Sequence, residues 1–203
     1  MITKRLKQTD YQECAQLINQ GGIVAIPTDT VYGLGVLASN VEAIYHLRDI
    51  KQRPDEKALA YMVCDVEMIE AVCELTHRDY RLIERLLPGP VTLIFKKKKK
   101  LPIVDESGYD TLAVRIPNHP FILELIKHTQ CGLYVPSANI SGLPACVTSD
   151  QVLKQFDGLI DGCVLGEAYQ GQASTIIDCT TQQLRIIREG PITWKEIMDA
   201  ENI

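Results

Sequence analysis

The chain has 203 residues, 46% of them hydrophobic and 23% charged, close to globular averages, which excludes a disordered or fibrous protein and fits one domain over 1–203. Its 21 basic and 26 acidic residues leave a net charge of −5, so overall basicity cannot make it a nucleic-acid-coating protein, although a local basic patch is compatible. Seven cysteines without a Cys-x-x-Cys pair, and four histidines outside zinc-finger spacing, argue against a disulfide framework and a Cys/His metal site.

The N-terminal MITKRLKQTD lacks a signal-peptide core, and no apolar run reaches the ~18 residues of a membrane span. With the thiols expected to be reduced, a cytoplasmic location is expected. Thr9-Asp-Tyr-Gln12 reads as a capping box opening a helix that runs to Gly21-Gly22. Ile23–Pro27 reads as a buried strand. Ser39-Asn-Val-Glu42 is a second capping box, followed by Val41, Ile44, Leu47 and Ile50 at helical spacing. Leu59–Val63 is strand-like, Asp79–Leu87 helical, and Val91–Phe95 and Thr111–Ile116 are strands. Asn118 is expected to cap a helix from Pro120 to His128. Leu133–Val135 is a strand, and Thr148-Ser-Asp-Gln151 is a third capping box. Leu159–Leu165, Ser174–Asp178 and Leu184–Arg188 read as strands, and Thr193–Met198 as a short helix. This alternation predicts an α/β fold. Phe95 to Thr111 and Asp178 to Leu184 contain no helical crossover, so the sheet should be mixed, with antiparallel pairs. No repeat, linker or boundary interrupts it.

Polar residues cluster where apolar strands end. Pro27-Thr-Asp-Thr-Val-Tyr-Gly-Leu-Gly35 places two threonines, an aspartate and a tyrosine at a strand end, the usual binding edge of an α/β sheet. It matches neither a Walker A loop nor GxGxxG. In Lys51-Gln-Arg53-Pro54, Pro54 should hold Arg53 extended, letting Lys51 and Arg53 converge on one anion. A helix end decorated with cations is the alternative. Ser137-Ala-Asn139-Ile-Ser141-Gly142 offers hydroxyl, amide and backbone N–H groups suited to phosphate or carboxylate, or forms a polar turn. Arg115, inside Leu112–Ile116, requires an acidic partner or an anionic ligand. The run Lys96–Lys100 reads as a solvated loop, with RNA phosphate contact as the alternative.

In order, IPTDTVYGLG, KQRP, LPGPVTLIF, LAVRIPNHP, VPSANISG, STIID and IREG resemble the threonylcarbamoyl-adenylate synthase (YrdC-type) family from about Gly21 to Gly190. The resemblance implies a YrdC-like twisted open mixed sheet, covered by helices, around a large basic cavity. It implies an enzyme joining L-threonine, bicarbonate and ATP, with magnesium on the phosphates. It implies that the threonylcarbamoyl-adenylate product serves other proteins that modify tRNA beside the anticodon. It implies a threonine site of Thr30, Tyr32, Arg115 and Ser174. Lys51, Arg53, Ser137 and Asn139 match its catalytic signature and, with Lys57 and Arg188, its ATP site. No protein metal ligand and no covalent nucleophile are implied.

Two departures stand out. Ala58 and Met62 replace a proline and a histidine that many members carry, and the chain resembles the short, single-domain form. A non-enzymatic module of the same fold binding tRNA or double-stranded RNA is the competing reading. A carbamoyl-transfer domain of hydrogenase-maturation type is disfavoured, since those belong to larger chains with zinc-finger segments.

Overall fold

The computed structural model describes residues 2–201. Within them the order is β1 (Lys4–Leu6), α1 (Tyr11–Asn19), β2 (Val24–Ile26), β3 (Gly33–Leu37), α2 (Val41–Lys51), β4 (Tyr61–Met62), α3 (Val66–Val72), β5 (Cys73–Glu74) and α4 (His77–Leu86). Then come β6 (Val91–Lys97), β7 (Thr111–Arg115), α5 (Pro120–Lys127), β8 (Leu133–Tyr134), α6 (Ser149–Phe156), β9 (Gly162–Val164), β10 (Thr175–Asp178), β11 (Arg185–Arg188) and α7 (Trp194–Glu201). One open, mixed sheet takes the order β1-β9-β2-β3-β8-β4-β7-β6-β10-β11, with β5 beside the far end of β6. The two helix-free connections give antiparallel pairs, β6 with β7 and β10 with β11, as a short connection requires.

Strand β2 shows why the sheet is buried on both sides. Val24 and Ile26 join one apolar core, and Ile23 and Ala25 the other. Alternation by two residues makes an unbroken apolar run a strand with two dry faces. The core that holds Val24 and Ile26 is the smaller. It takes Cys14, Ala15 and Ile18 from α1, and Phe121, Ile122, Leu125 and Ile126 from α5. The larger core holds the apolar sides of α2, α3, α4, α6 and α7. Helices α1 and α5 contact each other and cover the face of only part of the sheet. The same face of the β7, β6 and β10 region is left for a cavity.

Several local expectations need correction. Asp10, not Thr9, precedes α1; its carboxylate accepts the Lys7 N–H at 2.8 Å and the Thr9 hydroxyl at 3.0 Å, so neither side chain caps the helix. At α2 the cap is Asn40 rather than Ser39, its Oδ1 accepting from the Ala43 N–H at 3.0 Å. At α5 His119 occupies the cap position without a side-chain bond, and Asn118 lies outside. Thr148 caps α6 as expected, but Gln151 turns its Oε1 to the Val147 N–H instead of back to Thr148. Helix α3, capped by Asp65, and the reciprocal Thr76–Asp79 box of α4 went unread in the sequence.

Glu106 fixes the loop between β6 and β7. Its carboxylate pairs with Arg48 on α2, with side-chain exposures of 6% and 3%, and accepts the Leu59 N–H at 2.8 Å. Arg48 also donates to the carbonyls of Pro54 and Lys57, so one buried pair clamps the segment after α2. Removing one partner strands a buried charge. Glu106→Ala should therefore lower unfolding free energy by about 3–5 kcal/mol, and Glu106→Gln, which keeps an acceptor, by less. Urea unfolding of the two variants measures this.

Candidate active site

A cavity of about 160 Å³ opens on the uncovered sheet face. Its lining crosses neighbouring strands: Ala60 and Met62 by β4, Ala113 and Arg115 on β7, Thr92 on β6, Ser174 and Ile176 by β10, and Arg188 on β11. Ala60, Ala113, Thr92 and Ser174 are small, so the sheet surface itself recedes there. Thr28 and Thr30 after β2, and Ser137 after β8, add the strand-end loops. Gly33 permits their approach: a Cβ there would lie 2.4 Å from Val135 Cγ1, and Gly33 bridges Ser137. Among the described residues, Arg53, Arg115 and Arg188 line the cavity and no carboxylate does. It is basic, but its size is not that of the large cavity the resemblance implied.

Arg115 is 6% exposed. Its Nη2 donates to Asp29 Oδ1 at 2.6 Å, its Nη1 to Thr30 Oγ1 at 3.0 Å and its Nε to the Gly89 carbonyl at 3.3 Å. A guanidinium has five N–H donors. Three are used, which leaves one on each terminal nitrogen for an anion. Burial pushes the Arg115 pKa down and the Asp29 charge pulls it back. The acidic partner and the anionic ligand anticipated as alternatives for Arg115 are thus compatible. Met62 stands opposite Arg115 in the β4–β7 register, and the Ala58 carbonyl accepts from Arg53, so both departures from the family pattern border the cavity.

Lys51 and Arg53 do not converge through an extended segment. Gln52 takes left-handed φ of 49° and closes α2, so the alternation argument fails there. Lys51 is 1% exposed and lies beneath the Ser137 loop rather than in the cavity lining. Its Nζ donates to the carbonyls of Ser137 and of Asn139 (2.6 Å), while its own carbonyl accepts the Ser141 N–H at 2.8 Å. Arg53 reaches the cavity, held by the carbonyls of Lys57 at 3.0 Å and Ala58 at 2.8 Å. Lys57 itself is exposed and outside the lining. Ser137 and Asn139 do share a face: the Ser137 hydroxyl donates to Asn139 Oδ1 at 2.6 Å. Asn139 stands behind Ser137, its amide donating to the carbonyls of Ile140 and Leu143. Arg188 donates to the Ser174 carbonyl at 2.8 Å and hydroxyl at 3.0 Å, and Ser174 also meets Thr92 at 2.9 Å. Tyr32 lines the cavity but spends its hydroxyl on the Val164 carbonyl at 2.9 Å. Thr28, Asp29 and Thr92 complete the constellation. The PTDT segment stands out in the sequence, but only the fold shows what its first threonine and aspartate touch.

The lysine run lies elsewhere. Thr92 and Lys97 are five residues apart on β6, about 17 Å along a strand. Lys97 pairs with Asp105 at 2.6 Å, and Lys96, Lys98, Lys99 and Lys100 are exposed.

A model of the Sua5/YciO/YrdC domain, described as telomere recombination, matches residues 16–190. The chain belongs to the Sua5/YciO/YrdC family. It is 35% identical over 199 residues to the threonylcarbamoyl-AMP synthase of Pyrococcus abyssi and 33% identical over 201 residues to that of Bacillus subtilis. Each match covers 97% of this chain but 58% of the relative, so the chain spans little more than half their length. Against the threonylcarbamoyl-AMP synthase of Vibrio parahaemolyticus, 31% identical, it covers 89% of this chain and 99% of that protein. A solved structure of P. abyssi Sua5 complexed with L-threonine superposes at TM-score 0.92 and 33% identity, over 100% of this chain and 61% of that one. E. coli YciO, at TM-score 0.84 and 22% identity over 97% of this chain and 98% of that one, shares the fold. The expected α/β architecture of this family is thereby established.

Burial, and secondarily Arg53, push the Lys51 pKa from 10.5 down to about 7. A neutral amine still has two N–H groups for its two carbonyl acceptors, so shedding the proton breaks neither bond. Between about 7 and 10.5 the unfolded chain holds a proton that folded Lys51 has lost, and stability rises with pH across that window. Relative to Lys51→Met, wild-type stability should climb by up to about 1.4 kcal/mol per pH unit there. Denaturant titrations from pH 7 to about 10 check the slope, and a flat difference would contradict it.

Proposed function

We propose that this chain is a nucleotidyltransferase that joins L-threonine, bicarbonate and ATP, giving threonylcarbamoyl-adenylate, diphosphate and water. The observation that carries the reading is Arg115: buried, anchored on three sides, with two N–H groups left for a carboxylate beside a cavity of further arginines. Arg115 and Thr30 take the amino acid. Arg53, Arg188 and Ser137 meet the nucleotide's phosphates and the carboxylated intermediate. Lys51 and Asn139 act from behind, both shaping the Ser137 loop and Lys51 adding charge. Among the described residues no cysteine, histidine or lysine lines the cavity, and in this reading catalysis rests on positioning and on stabilising charge at phosphorus. The lining also lacks carboxylates and does not make a magnesium site; magnesium enters on the nucleotide's phosphates.

Among the described residues no helix is long and apolar enough to cross a membrane, and we place the reaction in the cytoplasm. Other proteins then transfer the threonylcarbamoyl group to tRNA. The exposed lysines beyond β6 support RNA contact at a surface separate from the cavity.

Diphosphate should be released from ATP only when threonine and bicarbonate are both present; release indifferent to threonine would refute the assignment. Arg115→Ala should raise the threonine KM more than the ATP KM, by the about 1.5–3 kcal/mol of a charged hydrogen-bonded pair.

Arg53→Ala should cost a hundredfold or more in rate, about 2.7–4 kcal/mol, at nearly unchanged Tm. Lys51→Ala should instead lose stability as well as rate, because two loop carbonyls lose their donor. Diphosphate release and thermal unfolding, measured together on both variants, separate a cavity cation from one built into the frame.

A further inference from the structure

Thr28 stands under Thr30 and has no assigned role. Three contacts converge on its hydroxyl. It donates to the Val31 carbonyl at 2.7 Å, accepts the Thr30 backbone N–H at 2.9 Å, and lies 2.9 Å from Thr30 Oγ1. A hydroxyl has one proton and two lone pairs. With its proton on Val31, Thr28 can meet Thr30 Oγ1 only as acceptor, so the Thr30 proton points to Thr28. The reverse arrangement would strip the Val31 carbonyl of this donor in a residue 7% exposed, and unpaired buried groups are costly. Thr30 Oγ1 also accepts from Arg115 Nη1. Its proton and one lone pair are then used, and one lone pair remains. The chain runs in one direction: Arg115 to Thr30 to Thr28 to the Val31 carbonyl.

We propose that Thr28 is a positioning residue that holds the Thr30 hydroxyl as an acceptor toward the substrate, so that the site reads a hydrogen-bond donor placed beside a carboxylate. The inference rests on the amino-acid reading of the Arg115 site. Carboxylate goes to the two free guanidinium N–H groups, and the donor beside it, the amino group or the side-chain hydroxyl of the amino acid, goes to Thr30. A neighbouring group that only accepts meets a lone pair and is refused. The directionality adds selectivity that the arginine alone lacks, because an arginine binds any carboxylate.

Calorimetric titration of L-threonine and, separately, ATP into wild type, Thr28→Val and Thr28→Ser tests this. Valine keeps the shape but lets the Thr30 hydroxyl turn its proton toward the substrate. Thr28→Val should weaken L-threonine roughly fivefold to tenfold and leave ATP unchanged, whereas Thr28→Ser should bind threonine within about twofold of wild type. If valine does not fold there, Thr28→Cys, whose thiol is a weak partner, carries the same expectation. Titrating L-2-aminobutyrate, which lacks the hydroxyl, identifies the donor. An equal loss in Thr28→Val assigns the amino group, and no loss assigns the hydroxyl. Unchanged threonine affinity in Thr28→Val overturns the proposal. So does Thr28→Ser as weak as Thr28→Val, or an equal loss of ATP affinity, since each makes Thr28 merely structural. Wild type that binds ATP but no L-threonine overturns the amino-acid reading and this proposal with it.

Discussion

The site depends on how its cations are held. Lys51, Arg53 and Arg188 are fixed by backbone carbonyls: those of Ser137 and Asn139, of Lys57 and Ala58, and of Ser174. A carbonyl satisfies a donor without cancelling its charge. A carboxylate does both, which is why structural arginines are usually paired with acids. Arg48, which only clamps, is so paired through Glu106. Arg115 has Asp29 on one side, and that carboxylate's second oxygen is buried without a partner among the described residues. The arrangement therefore orients several cations while leaving most of their charge uncompensated until an anion arrives.

Such a cluster needs a rigid frame, and the sheet supplies it. Arg115, Thr92, Ile176 and Arg188 stand on neighbouring strands, so their spacing is set by ladder geometry rather than by loops. The loops that complete the site are themselves stapled. Ser141 bonds the carbonyl of Lys51, Leu34 that of Pro136, Gly171 that of Thr30, and Tyr169 that of Thr28. Helices α1 and α5 cover part of the face and leave the cavity region uncovered. Dry apolar packing elsewhere offsets the cost of burying charge.

The strong apolar periodicities were legible: β2, α2, β6, β7 and the β6–β7 and β10–β11 antiparallel pairs followed from pattern and connection length, whereas the β2–β3, β3–β8, β4–β8 and β5–β6 pairs did not. Helix starts were less so, because neighbouring polar residues compete. Thr9 and Asp10, or Ser39 and Asn40, are near-equal caps; Asn40 takes the Ala43 N–H, whereas Asp10 spends its carboxylate on Lys7 and Thr9 and leaves α1 without a side-chain cap. The Thr30, Arg115 and Ser137 neighbourhood was readable from polar residues set against apolar strands. Its interior was not. Glu106 sits in a loop without periodicity, and its partner Arg48 is 58 residues away. The error at Lys51 had a local cause: Pro54 constrains Arg53, but the turn is made by Gln52, whose left-handed backbone no proline rule predicts.

The depressed Lys51 pKa brings these threads together. In the protein alone, burial and Arg53 disfavour its charge, so near neutrality the ammonium is only partly retained. A polyanion in the cavity would favour the charged form and draw in a proton as it binds. Affinity for phosphate and stability of the empty fold are therefore set against each other through the same side chain. Replacing Lys51 by an apolar residue would relieve the cost of burying a charge, but it would strip two loop carbonyls of their donor and forfeit that charge. Replacing a carbonyl partner by a carboxylate would also relieve it, but would cancel the charge in place. Carbonyl ligation combines fixed geometry with unsatisfied charge, and the Ser137–Asn139 loop, two of whose carbonyls receive the Lys51 amine, is where the fold enforces it.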